Sequence, residues 1–178
     1  TCEQLRVFLD LGELQPASTP TDIGLQYEAF TVTSANGRQL AGWLIPAQWQ
    51  GELDAEPLGT MLLMHGTDGN ITCTLPWALV ASANHVHAVV FDYQGFGGSD
   101  GTADIAPLLD DSEAVLDWII ADASPARQQV HLVGTSLGTS AGEGPNLAAG
   151  ASEDVRFTLA IPRTFLGAAL EAKLTAED

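Results

Sequence analysis

A chain of 178 residues, 46% of them apolar, is long enough for one domain with a buried core. Its 23 acidic residues against six lysines and arginines give a formal charge of -17, with Lys173 the sole lysine, and a surface of that sign repels nucleic-acid phosphates and acidic lipid headgroups. Two cysteines, Cys2 and Cys73, make neither a disulfide framework nor a metal-ligand spacing, and no apolar run approaches the roughly 18–20 residues that cross a bilayer.

Residues 1–26 mix polar, proline and apolar positions without periodicity and are expected as an arm that packs on the domain or frays. A single α/β unit is expected over residues 27–178. Cys2 stands where a bacterial lipoprotein would begin, which leaves two readings open: an exported chain anchored through lipid, or an incidental cysteine on a soluble chain. Two β-prone segments, residues 27–32 and 40–45, flank Ala35-Asn36-Gly37-Arg38, and Asn-Gly is a strong hairpin signal. After a linker over residues 47–57, the run Thr60-Met-Leu-Leu-Met64 suits a short strand buried on both faces, followed by His65-Gly66 and a loop at 67–70.

A helix is expected over residues 75–84, a second buried strand over 86–91, and a loop from Asp92 to Ala103. Apolar residues Leu109, Ala114, Val115, Trp118 and Ile119 predict a helix over 108–121, before a strand over 129–133. A strand over 155–161 and a helix over 165–174 close the sequence. Strands apolar on both faces and alternating with helices imply a mainly parallel sheet covered on both sides. Ligands then bind at the carboxyl ends of the strands, where the 65–71 loop, the 92–103 loop and the turn at Ser136 converge.

That turn is Gly134-Thr-Ser-Leu-Gly138, a G-x-S-x-G sequence directly after the apolar run Val130-His-Leu-Val133. A strand that turns sharply into a helix lifts the middle serine clear of the backbone, and the flanking glycines leave the turn its space. Ser136 is therefore a candidate nucleophile. An attacking serine also needs donors aimed at the oxyanion, and backbone N–H groups of Leu137 and Thr67 are the candidates. Leu137 opens the helix after the nucleophile, whose amino end favours negative charge, and Gly66 lets Thr67 turn inward. No cofactor and no metal is called for.

These residues resemble the α/β-hydrolases, and within them the BEM46-like esterase group. The matching words are Asp22-Ile-Gly-Leu-Gln-Tyr-Glu28, Asn36-Gly37, Leu40-Ala-Gly-Trp-Leu-Ile-Pro46, Met64-His-Gly66, Phe91-Asp-Tyr-Gln-Gly-Phe-Gly-Gly-Ser-Asp-Gly101 and Leu132-Val-Gly-Thr-Ser-Leu-Gly138, in the family's order. The resemblance implies the α/β-hydrolase fold, hydrolysis of a small-molecule ester through an acyl-enzyme on Ser136, and oxyanion roles for Thr67 and Leu137. It also implies that Asp92 and the glycines after it shape the rim of the site.

The resemblance departs at the carboxyl end, where members carry the triad acid and histidine on later strands and this sequence stops at Asp178. Ser140-Ala-Gly-Glu-Gly-Pro145 also places two glycines and a proline where the helix after the turn should run on. Of the four histidines, His131 lies roughly 16 Å along the sheet from Ser136, and His85 and His87 stand at the start of their strand. His65 alone shares the carboxyl edge, with Asp92 on the next strand end. Two roles stay open for this pair: a surrogate relay to Ser136, or support of the oxyanion loop, which is what the resemblance implies for the histidine. A shortened sheet is expected to cover its apolar edge by self-association or with a complementary chain. The rival to the enzyme is a non-catalytic α/β-hydrolase-like module that binds without a base.

Overall fold

The computed structural model describes residues 17–48, 56–67, 69–135 and 138, which form one five-stranded sheet with helices on both faces. In chain order the elements are β1 (Glu28–Thr33), β2 (Gln39–Ile45), β3 (Thr60–Met64), α1 (Leu75–Ala83), β4 (His87–Phe91), α2 (Leu108–Ile120), the short α3 (Pro125–Gln128) and β5 (Val130–Gly134). Of the sequence expectations, Cys2, Ser136, Leu137, the 140–145 interruption, the 155–161 strand and the 165–174 helix lie outside the described residues.

The sheet runs β1-β2-β4-β3-β5 and is mixed. β3 pairs in parallel with both β4 and β5, while the hairpin of β1 and β2 adds antiparallel to β4, Gly42 opposite Phe91 and Ile45 opposite Ala88. The turn at Asn36-Gly37 sets that hairpin. Gly37 has φ +84° and its N–H donates to the Ser34 carbonyl, so the antiparallel pairs follow directly from the signal read in the sequence. A short hairpin loop can only return its strand antiparallel, whereas the helical crossovers through α1 and α2 return theirs parallel.

Alternation along β3 and β4 accounts for their continuous apolar runs. Met61 and Leu63 of β3 join Ala88 and Val90 of β4 on one face, where Leu75, Ala78 and Leu79 of α1 cover them. Leu62, Met64, Val89 and Phe91 point to the other face, against Leu108, Val115 and Ile119 of α2. Each such fully buried side chain is worth about 1.5–3 kcal/mol, which fixes the register because a one-residue slip would exchange the two faces. Leu25, in the expected arm, is buried in the α1-side core, and a 3-10 turn at Pro20–Ile23 capped by Thr19 leads into it. The last residues of that arm therefore pack on the domain.

The inward stripe of α2 departs from the expected apolar set. Its buried residues are Leu108, Asp111, Ser112, Val115 and Ile119, with Ala114 and Trp118 only half-buried. Trp118 instead stacks on Phe30 of β1 at 4.0 Å, with Arg127 over its ring at 4.8 Å. Asp111 is fully buried and accepts hydrogen bonds from the Ser34 hydroxyl (2.7 Å), the Gln94 N–H (2.9 Å) and the Gln94 side-chain amide (2.5 Å). The amide oxygen of Gln94 accepts in turn from Asn36 (2.8 Å). One buried carboxylate thus ties the hairpin turn, the loop after β4 and α2 together, and among the described residues the donors that hold it are neutral.

At the opposite end of the sheet His87 opens β4, and its Nδ1 accepts the Ala47 N–H at 3.1 Å. Burial lowers the pKa of His87 below 6.5, helped by the positive charges of Arg127 and His85 and opposed by Asp122 and Glu56. The neutral ring that accepts from Ala47 is the form the fold prefers. Its contribution is complete above pH 6.5 and is lost as pH falls through the lower folded value.

Two outcomes follow from these contacts. Asp111→Ala strands the Gln94 backbone N–H, removes the acceptor of the Ser34 hydroxyl and leaves the Gln94 amide only its Ser34 contact, and it should cost about 3 kcal/mol in urea unfolding. His87→Gln keeps an acceptor but removes the titration, so its thermal midpoint should fall less than that of the parent chain between pH 7.5 and 5; equal falls would contradict the assignment.

Candidate active site

Three loops leave the carboxyl ends of β3, β4 and β5 side by side, because β3 lies between the other two strands. The chain crosses from β3 to β4 under α1, then passes back over β3 to β5 by way of α2. The crossovers diverge at β3, which is where an open α/β sheet leaves a crevice.

The loop after β3 starts inside the protein and ends outside it. His65 is 1% exposed and Gly66 is buried, whereas Thr67 stands in an exposed turn. The His65 Nδ1 lies 2.8 Å from the Gly66 carbonyl oxygen, a pairing that requires the proton on Nδ1. Its Nε2 lies 3.6 Å from Asp92 Oδ1, beyond hydrogen-bond length but within reach of charge attraction when the ring is protonated. The rings of Tyr93 (4.7 Å) and Phe96 (5.2 Å) pack on the imidazole. Tyr93 is fully buried, and burial together with the charge of Asp111 raises its phenol above its ordinary pKa, so it stays neutral.

Asp92, the residue after β4, is 2% exposed. Its Oδ1 accepts the Ile71 N–H (2.6 Å) and its Oδ2 accepts the Gly98 N–H (3.0 Å). Gly97, at φ +45°, lies so close that a Cβ there would overlap the carboxylate. Ser99 completes the loop: its hydroxyl donates to the Asp92 carbonyl (2.5 Å) and accepts the Ala41 N–H (2.9 Å). The glycine density of Gly95-Phe-Gly-Gly-Ser99, expected at the rim, marks close backbone approach without naming the partner, and no sequence signal ties Ser99 or Ile71 to Asp92.

The third loop is the turn after β5. Thr135 N–H donates to the Met64 carbonyl (3.1 Å), carrying the β3–β5 pairing one residue past the strand, and Gly138 N–H donates back to the Thr135 carbonyl (3.0 Å). A Cβ on Gly138 would overlap the same Met64 carbonyl. Thr135 and Gly138 are therefore both held against the strand that carries His65. The last glycine of G-x-S-x-G is required by that close approach. Ser136 and Leu137, between these two flanks, lie outside the described residues.

The structure thus joins His65 to Asp92 and brings the flanks of Ser136 to the root of the 65–67 loop. The other three histidines are far from this edge: His85 precedes β4, His87 opens it, and His131 is the second residue of β5. Among the described residues no group of three histidine, cysteine or carboxylate side chains could hold a metal ion, and no helix is long and apolar enough to cross a membrane.

This arrangement has clear counterparts. Over 111 residues, or 62% of the chain, it is 33% identical to the protein YfhR of Salmonella typhimurium, and it spans 37% of that protein's length. The Bem46 protein of Schizosaccharomyces pombe is 27% identical over 71% of the chain and 42% of its own length. Among solved structures, the Pyrococcus furiosus esterase Pf2001 superposes with a TM-score of 0.60 at 18% identity, covering 72% of this chain and 47% of the esterase, which is a likeness of fold. Residues 61–175, more than half of the chain, match the model of the alpha/beta hydrolase family, and with the mixed sheet, the two crossovers and the turn after β5, the chain belongs to that family.

Proposed function

We propose that the chain is a serine hydrolase that cleaves carboxylic esters through an acyl-enzyme. In this reading the Ser136 hydroxyl oxygen attacks the acyl carbon, and the Thr67 and Leu137 N–H groups hold the oxyanion. The serine proton passes through a general base to the departing alkoxide. Water then attacks the acyl-enzyme and releases the acid, regenerating the serine. The observation that carries the reading is the seating of the turn: Thr135 and Gly138, on either side of Ser136-Leu137, both meet the Met64 carbonyl, one residue from His65.

The geometry of His65 supports its role in the oxyanion loop over that of a base. Its Nδ1–H is given to Gly66 and its Nε2 faces Asp92, so the ring stiffens the peptide leading to Thr67. None of the four histidines is assigned as the base in this reading. The chain spans about two-fifths of the length of the first relatives it matches.

Two tests bear on it. A fluorophosphonate probe should label the chain at Ser136, and Ser136→Ala should abolish labelling and lower hydrolysis of a short p-nitrophenyl ester at least a thousandfold. No labelling and no serine-dependent hydrolysis would leave a non-catalytic module as the better reading, and labelling or hydrolysis that does not depend on Ser136 would move the nucleophile elsewhere. Gly138→Val should drive the turn off the Met64 carbonyl and slow labelling roughly 100-fold, since displacements of about 1 Å carry penalties of that size; an unchanged rate would remove the turn from the mechanism.

A further inference from the structure

The carboxylate of Asp92 does something that the reading above leaves unassigned. Each oxygen takes one backbone N–H from a different loop, Ile71 beyond the oxyanion loop and Gly98 in the glycine-rich loop after β4. Its own backbone is pinned as well. The Asp92 N–H donates to Ala41 of β2 (2.9 Å), and Ser99 bridges the Asp92 carbonyl to the Ala41 N–H. A side chain fixed at both ends transmits position, because neither loop can shift without breaking a charge-assisted hydrogen bond in a buried setting. The third contact, with His65 at 3.6 Å, couples this clamp to the residue next to Gly66 and Thr67.

We propose that Asp92 is the positioning residue of this site, holding Ile71 and the 97–99 loop in one arrangement against His65 so that the Thr67 N–H is preset toward the oxyanion. The proposal rests on the serine-hydrolase reading given above. Both the charge and the pair of acceptors are needed. An asparagine in the same place offers one oxygen and turns its amide N–H₂ toward the other backbone N–H, so one loop is released whichever way it sits. The packing of Gly97 against the carboxylate leaves no room for the amide to swing away.

The test compares the full chain with Asp92→Asn by three readouts: the end-point stoichiometry of fluorophosphonate labelling, its rate, and kcat and KM for p-nitrophenyl acetate per labelled site. The expected result is undiminished stoichiometry, with labelling rate and kcat each reduced roughly 100-fold and KM within about threefold. Turnover per labelled site equal to that of the parent would overturn the proposal. So would a loss of labelled sites that accounts for the whole loss of activity, the mark of a purely structural carboxylate. If Asp92→Asn does not fold, Ile71→Pro serves instead. Ile71 opens its 3-10 turn after an extended Asn70, a place where proline is tolerated, and the change deletes the N–H given to Oδ1 while keeping the charge. It should slow labelling about tenfold, and a parental rate would overturn the proposal. Failure of the parent chain to label at Ser136 would instead refute the serine-hydrolase reading, and this inference with it.

Discussion

Everything at the carboxyl edge depends on β3 being paired on both sides. All five of its residues are buried, so the backbone N–H and C=O groups of Thr60–Met64 need partners. β4 and β5 pair with it in parallel, Gln129 and Thr135 bond its two ends, and parallel pairing puts three strand ends on one edge. The Met64 carbonyl is where this constraint becomes local. It accepts from Thr135 and is approached so closely by Gly138 that no side chain fits there, so Thr135 and Gly138 are held by the same strand that delivers His65.

A second theme is how a strongly anionic chain keeps carboxylates inside. With six lysines and arginines against 23 acids, most acids have no cation of their own. Asp92 and Asp111 are both buried and both satisfied by backbone N–H, hydroxyl and amide donors. Such donors are fixed by the fold and oriented by short turns, whereas a lysine would bring a flexible stem and its own desolvation cost. The consequence is that these acids organise loops. Asp111 fastens the hairpin to α2, and Asp92 gathers the loops around the crevice.

Much of this was legible in the sequence. The Asn36-Gly37 hairpin, the doubly buried runs of β3 and β4, and the helix over 108–121 follow from local pattern, and their observed ends differ by a residue or so. The sheet, expected to be mainly parallel, is mixed over the described residues, because the β1–β2 hairpin adds antiparallel to β4. What could not be read is which polar residues turn inward. Positions 108, 111, 112, 115 and 119 lie on one face of α2, yet Asp111 and Ser112 go unseen when only apolar residues define the stripe. Their partners are distant in sequence, Ser34 lying 77 positions from Asp111. For the site, the strand ends placed His65 and Asp92 together, and that pairing is observed. That Asp92 collects N–H groups from 21 positions before it and six after it depends on loop geometry that no periodicity encodes.

The central claim is that this edge aims two backbone N–H groups at the carbonyl oxygen of an ester attacked by Ser136. A crystal structure of the chain after reaction with a phosphonate ester tests it most directly. The account predicts phosphorus bonded to the Ser136 hydroxyl oxygen, with the phosphoryl oxygen about 3 Å from both the Thr67 and the Leu137 nitrogens. A phosphonyl group on another residue, or a phosphoryl oxygen turned away from both nitrogens, would contradict it.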